Sequence, residues 1–136
     1  LEKDVPIPRN YVTFGEFLRT PARQAATKLL KLKNRPTAIF AASDVMALET
    51  IDVARSLKIR VPQDLTVIGF DDNPIVHTSS IPLSTVSQPL MEMGRLGAEK
   101  LFQVSRGKEP IPVKITLPTK YIKRKSETKI SAKKRK

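Results

Sequence analysis

Two short polar runs stand directly behind apolar ones, and they are where this sequence of 136 residues could do chemistry. Ser43-Asp44 follows Thr37-Ala38-Ile39-Phe40-Ala41-Ala42, and Asp71-Asp72-Asn73 follows Leu65-Thr66-Val67-Ile68-Gly69-Phe70. The apolar runs read as strands buried on both faces. In open parallel sheets, ligands bind outside the carboxyl ends of the strands. Hydroxyl, carboxylate and amide groups placed there exchange hydrogen bonds with the hydroxyls of a sugar, and an aromatic ring stacks on its apolar face. A plainer reading stands beside this one. Asp44 can simply cap the helix that follows, and Asp71 can simply begin a turn. Spacing favours the cap for Asp44 and leaves Asp71 undecided.

Other chemistries find no support in the sequence. With no cysteine, disulfides, thiolate metal sites and thiol catalysis are excluded. The single histidine, His77, reads as a structural or surface residue. Carboxylates do not cluster at metal-ligand spacing. Neither GxGxxG nor GxxxxGK(S/T) occurs, so there is no phosphate loop, and GxSxG is absent too. The reading is a protein that is not an enzyme and needs no cofactor.

The elements that must hold these residues follow from periodicity. Thr20-Pro21 reads as N-cap and first helical residue, and Ala22, Ala25, Ala26, Leu29, Leu30 and Leu32 carry a helix to about Lys33. A second helix runs from Ser43-Asp44 to about Lys58 and joins the two buried strands. Ile75 to Pro89 is looser, and a third helix spans about Leu90 to Val104. Val113 to Leu117 alternates as a strand, with Tyr121-Ile122 a short continuation. Helix, strand, helix, strand with short connections predicts an α/β fold, a parallel sheet in three layers with crossover helices.

Composition bounds the partners. The net charge of +12 resembles a nucleic-acid signal, but seven Lys, two Arg and one Glu place +8 of it between Lys120 and Lys136. The rest of the chain carries +4. The excess is therefore a tail rather than a shaped patch, and from about Ser126 the sequence is polar, basic and aperiodic, as in disordered segments. No stretch approaches the roughly 20 apolar residues of a membrane helix, so no membrane partner is expected.

Taken together, the motifs of residues 35–102, from RPTAIFAASDVMALE through VIGFDD and LSTVSQP to GRLGAEKLF, strongly resemble the lactose-repressor (LacI/GalR) family of transcription regulators. The closing LPTKYIKRKS is similar to the family's final strand and basic end, and the likeness covers roughly residues 10–126. It implies a partial periplasmic-binding-protein-like (type I) core, in which a sugar or nucleoside-type effector lies between two lobes. Carried over by position, Phe17 matches the aromatic that stacks on the ligand. Ser43, usually Asn in the family, matches a polar contact, Asp71 the carboxylate that binds ligand groups, and Gln88 a further polar contact near the hinge. Asp44 matches a common Asp read as a cap.

The resemblance also implies a homodimer in the full-length parent, through Val45, Leu48 and Asp52 of the second helix. Glu49 departs from the family's usual Gly and is expected to alter close helix packing there. On this reading residues 1–126 are the C-terminal part of the effector core. Within them, 90–112 resembles a segment that packs on the N-terminal lobe, and 127–136 form a basic disordered tail. DNA would be met only through a helix-turn-helix head outside this sequence, which would make the chain a fragment of a cytoplasmic regulator. The alternative is a sugar-binding protein of a transport system with the same fold.

Overall fold

A computed structural model describes residues 6–108 and 114–128. The regular elements are α1 (Arg19–Leu30), β1 (Ala38–Phe40), α2 (Asp44–Ser56), β2 (Thr66–Asp71), β3 (Ser84–Ser87), α3 (Leu90–Ser105) and β4 (Lys120–Ile122), with 3-10 turns at Arg9–Tyr11 and Pro74–Thr78. The four strands form one sheet in the order β1-β2-β3-β4. The first three are parallel, with Ile39 opposite Val67 and Asp71 opposite Ser87, and β4 is antiparallel to β3, with Tyr121 opposite Val86. The α/β class holds, but the sheet is mixed rather than wholly parallel, because the chain re-enters it from the far end after α3.

The core is built where α1, α2 and one face of β2 meet. Ala26 and Leu30 of α1, Ala47, Ile51 and Ala54 of α2, and Leu65 and Val67 are buried together with Val76 and Leu83. Small residues on α2 let it lie close to the sheet. At Gly69 an added Cβ would fall inside the van der Waals shell of Asp44 Oδ1 and 3.0 Å from Leu83 Cδ2. The reverse face is different. Phe40 is 62% exposed and meets Phe70 edge-to-face at 6.2 Å. Ala38 of β1 is exposed as well, so β1 is not buried on both sides as its apolar run predicts.

Three other expectations change. α1 starts two residues before Pro21, its N-cap position is Leu18, and that position makes no side-chain cap bond. Thr20 and Pro21 lie in the first turn, where proline's missing N–H is harmless. The loose region holds β3, a strand hidden by its hydroxyl-rich sequence Ser84-Thr85-Val86-Ser87. The last strand lies at Lys120–Ile122, not at 114–117. Val113 is outside the described residues. Pro118 cannot donate to a ladder, and pairing begins after it.

The C-terminal end of the described chain also departs from expectation. Ser126, placed at the start of a disordered tail, is fully buried. Its hydroxyl donates to Val67 O at 2.6 Å and accepts from Ser84 N at 2.8 Å, and Val67 N donates to Ser126 O at 2.9 Å. Thr128 N and O pair with the Thr66 hydroxyl. β2 and β3 pair directly only from Ile68 and Ser84 onward. Ahead of that point Ser126 bridges them. The polar composition that suggests disorder here supplies the hydrogen bonds of a wedge between strands.

Candidate functional site

The carboxyl ends of β1, β2 and β3 lie on one edge of the sheet because the strands are parallel. β1 leads into Ser43, β2 ends on Asp71, and β3 leads into Gln88. Asp71 and Gln88 meet directly: Gln88 Nε2 donates to Asp71 Oδ1 at 2.7 Å. A carboxylate only accepts, so the amide must turn its NH2 toward Asp71 and its carbonyl outward. Both residues are half-buried. Asp71 Oδ2 makes no hydrogen bond among the described residues, and with Gln88 Oε1 it offers two acceptors to a ligand hydroxyl. The backbone at Asp71 (φ 114°) and Asp72 (φ 56°) occupies the left-handed side that residues with a Cβ rarely adopt.

Ser43 is at the same edge but has a structural task. It is the N-cap of α2, buried, and its hydroxyl accepts from Met46 N at 3.3 Å. Asp44, read as the cap, is instead a cross-link. It is 1% exposed, its Oδ2 accepts from Asn73 N at 2.7 Å, and its Oδ1 accepts from Thr85 Oγ1 at 2.6 Å. One carboxylate thus ties the start of α2 to the loop after β2 and to β3. Burial raises its pKa above the usual 3.8. The two hydrogen bonds oppose that rise, and the neighbouring Asp71 and Asp72 add to it.

Phe17 is reached through the turn before α1. Glu16 and Phe17 both have positive φ, and Phe17 is 66% exposed. Gly15 approaches the first turn of α2 so closely that a Cβ would stand 2.7 Å from Met46 Sδ and 3.2 Å from Ala22 Cα. The aromatic ring therefore projects from a turn packed against the helix that Ser43 caps, with its surface available.

Sequence reasoning missed the support behind this edge. Asp72 pairs with Arg124 Nη2 at 2.7 Å, and Arg124 Nη1 donates to Leu83 O at 2.8 Å. The doubled aspartate after an apolar strand was one available signal, since two adjacent carboxylates at a strand end invite a cation. The arginine of Lys123-Arg124-Lys125 gave no local sign that it is the partner, 52 residues away.

Val45, Leu48 and Asp52 lie together on α2, half-buried, and share a shallow surface with Ile75, Ser79 and Ser80. Asp52 pairs with Arg55 at 2.6 Å. Glu49 turns toward α1 and is bridged by Arg19 at 3.3 Å and Arg23 at 3.2 Å. Two larger grooves are mostly carbon-lined. One, of about 680 Å³, runs along the open sheet face past Ile7, Val12 and Phe40. The other, of about 530 Å³, lies between α3 and residues 115–119, with Gln88 among its lining residues. No cluster of His, Asp or Glu among the described residues could hold a metal, and no described helix is long and apolar enough to cross a membrane.

With the geometry established, the likeness to known proteins is specific. The profile of the periplasmic binding protein-like domain matches residues 4–127. The HTH-type transcriptional regulator DegA of Bacillus subtilis (strain 168) is 38% identical over 130 residues, which are 96% of this chain and 38% of that protein. The transcriptional regulator CelR in complex with cellobiose superposes with a TM-score of 0.84 at 33% identity, covering 89% of this chain and 37% of that one. The lac repressor dimer, bound to operator and the anti-inducer ONPF, gives 0.76 at 28%, covering 83% and 39%. The chain thus spans well under half the length of these relatives. A match over nearly the whole chain puts this chain in the periplasmic binding protein-like domain family, in the form carried by LacI-type transcription regulators.

Proposed function

We propose that this chain is the ligand-sensing part of a LacI-type transcription regulator, and that it binds a small polyhydroxylated effector at Phe17, Ser43, Asp71 and Gln88. The observation that carries the reading is the Asp71–Gln88 pair at the carboxyl edge of the parallel strands. Its free acceptors suit adjacent hydroxyls, and the exposed Phe17 ring suits the apolar face of a sugar. Cellobiose on a relative of the same fold is consistent with that chemistry. The site works by binding alone, without catalysis. Residues 90–112 would pack on a second lobe that completes the cleft. Val45, Leu48 and Asp52 would form part of a homodimer contact, and DNA would be met by a separate head. Effector binding would then act by biasing lobe and dimer geometry.

The test is a titration of the isotopically labelled chain with D-glucose, D-ribose and cellobiose, followed by NMR. Half a cleft leaves the ligand wet, so affinity no tighter than about millimolar is expected. Shifts confined to residues 15–18, 43–44, 71–73 and 88 support the reading. Shifts elsewhere, or tight binding by this chain alone, would sink it.

A further inference from the structure

We infer that Arg124 is a positioning residue for the effector site: it holds the left-handed Asp71–Asp72 turn through Asp72, and so keeps the Asp71 carboxylate on Gln88. The inference rests on the reading of Asp71 and Gln88 as ligand contacts.

The strand end needs such a support. Two consecutive non-glycine residues at φ 114° and 56° persist only where their surroundings over-determine them. Three constraints act here. Asp44 fixes Asn73 N from the α2 side, Gln88 meets Asp71 from the β3 side, and Arg124 takes Asp72. Asp44 and Arg124 both hold the turn without being among the proposed ligand contacts, and only Arg124 does so through Asp72.

Arg124 is itself anchored along its whole length. Its backbone N donates to Ser84 Oγ at 2.8 Å, and Lys125 N donates to Pro82 O at 2.9 Å. Beyond it, Ser126 is locked between Val67 and Ser84. The guanidinium then spends one arm on Leu83 O and another on Asp72 Oδ1, 2.8 and 2.7 Å away. Both side chains of the pair are largely sheltered from water. A planar fork with fixed donor directions can hold a backbone carbonyl and a carboxylate at once. Lysine, a point charge on a flexible stem, cannot hold both in one geometry.

The C-terminal segment therefore reaches the site through a rigid chain of contacts: Ser126 fixes Arg124, Arg124 fixes Asp72, and Asp72 sets the backbone that aims Asp71. The side-chain amide of Gln88 reports the last link and needs no ligand. In the labelled chain, Arg124→Lys and Asp72→Asn should each move the Gln88 side-chain NH2 signals toward those of a free amide, and should displace the Asp71 and Asp72 backbone signals. Leu30→Ala, a core truncation in α1, should lower the melting temperature and leave the Gln88 signals in place. If Arg124→Lys fails to fold, Asp72→Asn weakens the same bridge from its other end, because an amide oxygen accepts without the carboxylate's charge. Gln88 signals unchanged in the folded variants, or moved equally by Leu30→Ala, would overturn the inference. Cellobiose-induced shifts at Asp71 should also shrink by about tenfold at fixed sugar in both bridge variants. Absence of any cellobiose shift in the unsubstituted chain would count against the effector reading alone, because the Gln88 amide still reports the positioning.

Discussion

Asp44 concentrates at one side chain what local sequence can and cannot reveal. An aspartate after a buried strand and before a helix reads as a cap, and the cap is in fact Ser43. The partners that define Asp44 stand 29 and 41 residues further on, beyond any spacing rule. Because its folded pKa is raised, the native state holds its proton more tightly than the unfolded chain does. Its contribution to stability is therefore largest at acid pH, and falls as pH rises from 3.8 through the raised value. Asparagine suits the same contacts: its oxygen can accept from Asn73 N–H, and its NH2 can donate to the Thr85 oxygen. Asp44→Asn should fold, and urea melts between about pH 4 and about pH 7 should show the unsubstituted chain losing stability relative to it as pH rises. A difference that is flat or of opposite slope contradicts the buried-carboxylate account. Asp44→Ala, by contrast, strands two donors and should cost about 1–3 kcal/mol for each. Asp71 and Gln88 were legible as polar groups at a strand end and in a recognised motif, but their mutual bond was not. It depends on the register of β2 against β3, which only the folded sheet fixes.

Between α2 and the sheet, elements hold one another by closeness more than by bulk. Gly69 sits where α2 crosses β2, with Ala47 and the Asp44 carboxylate against it. Gly69→Ala adds one methyl against a buried oxygen and should destabilise by about 1–3 kcal/mol through overpacking, read as a lower urea midpoint at unchanged slope. A neutral result would mean that α2 can lift away from the strand. Ser126→Ala attacks the opposite end of the sheet. It removes the bridge between Val67 O and Ser84 N, both buried, and the two unpaired groups should together cost about 2–6 kcal/mol. Retained stability would show that the wedge is dispensable. The strands with apolar runs and the helices with clear periodicity could be read from the sequence to within a few residues. β3 and the wedge could not, because Ser and Thr serve there as interior hydrogen-bonding groups, while spacing rules read them as solvent-facing. α1 illustrates a third limit. Its N-terminal boundary is set by the turn at Gly15–Leu18, not by Thr20, since Leu18 O already accepts from Ala22 N at 3.0 Å.

For the molecule as a whole, the largest unsolved problem of burial is α3. No residue of its 16 is buried. Met91 is 90% exposed, and Leu90, Met93, Leu101 and Phe102 are also open to water. Arg106 lies over the Phe102 ring at 5.2 Å and shields part of it. Added Cβ atoms at Gly94 and Gly97 would meet nothing within 4 Å, so that flank of the helix is open as well. Arg95 bridges Glu92 and Glu99 along the helix. A helix that pairs Arg95 with its own glutamates and leaves its large apolar side chains exposed is shaped to pack on a protein surface. Fully burying one such side chain is worth roughly 1.5–3 kcal/mol. Leaving several exposed consumes much of the roughly 5–15 kcal/mol that stabilises a domain. Contiguous apolar patches of this kind promote association. The chain on its own should therefore self-associate through α3 at micromolar concentration and melt at modest temperature. Sedimentation velocity over a concentration series checks the first point, and a thermal melt the second. Leu101→Glu combined with Met91→Lys should return the chain to a monomer without lowering its melting temperature, because neither side chain contributes to the core. A concentration-independent monomer with a cooperative melt above about 60 °C, high for a mesophile domain, would mean that α3 needs no cover. The strands, α1 and α2 would then be a self-sufficient unit carrying that helix as an appendage.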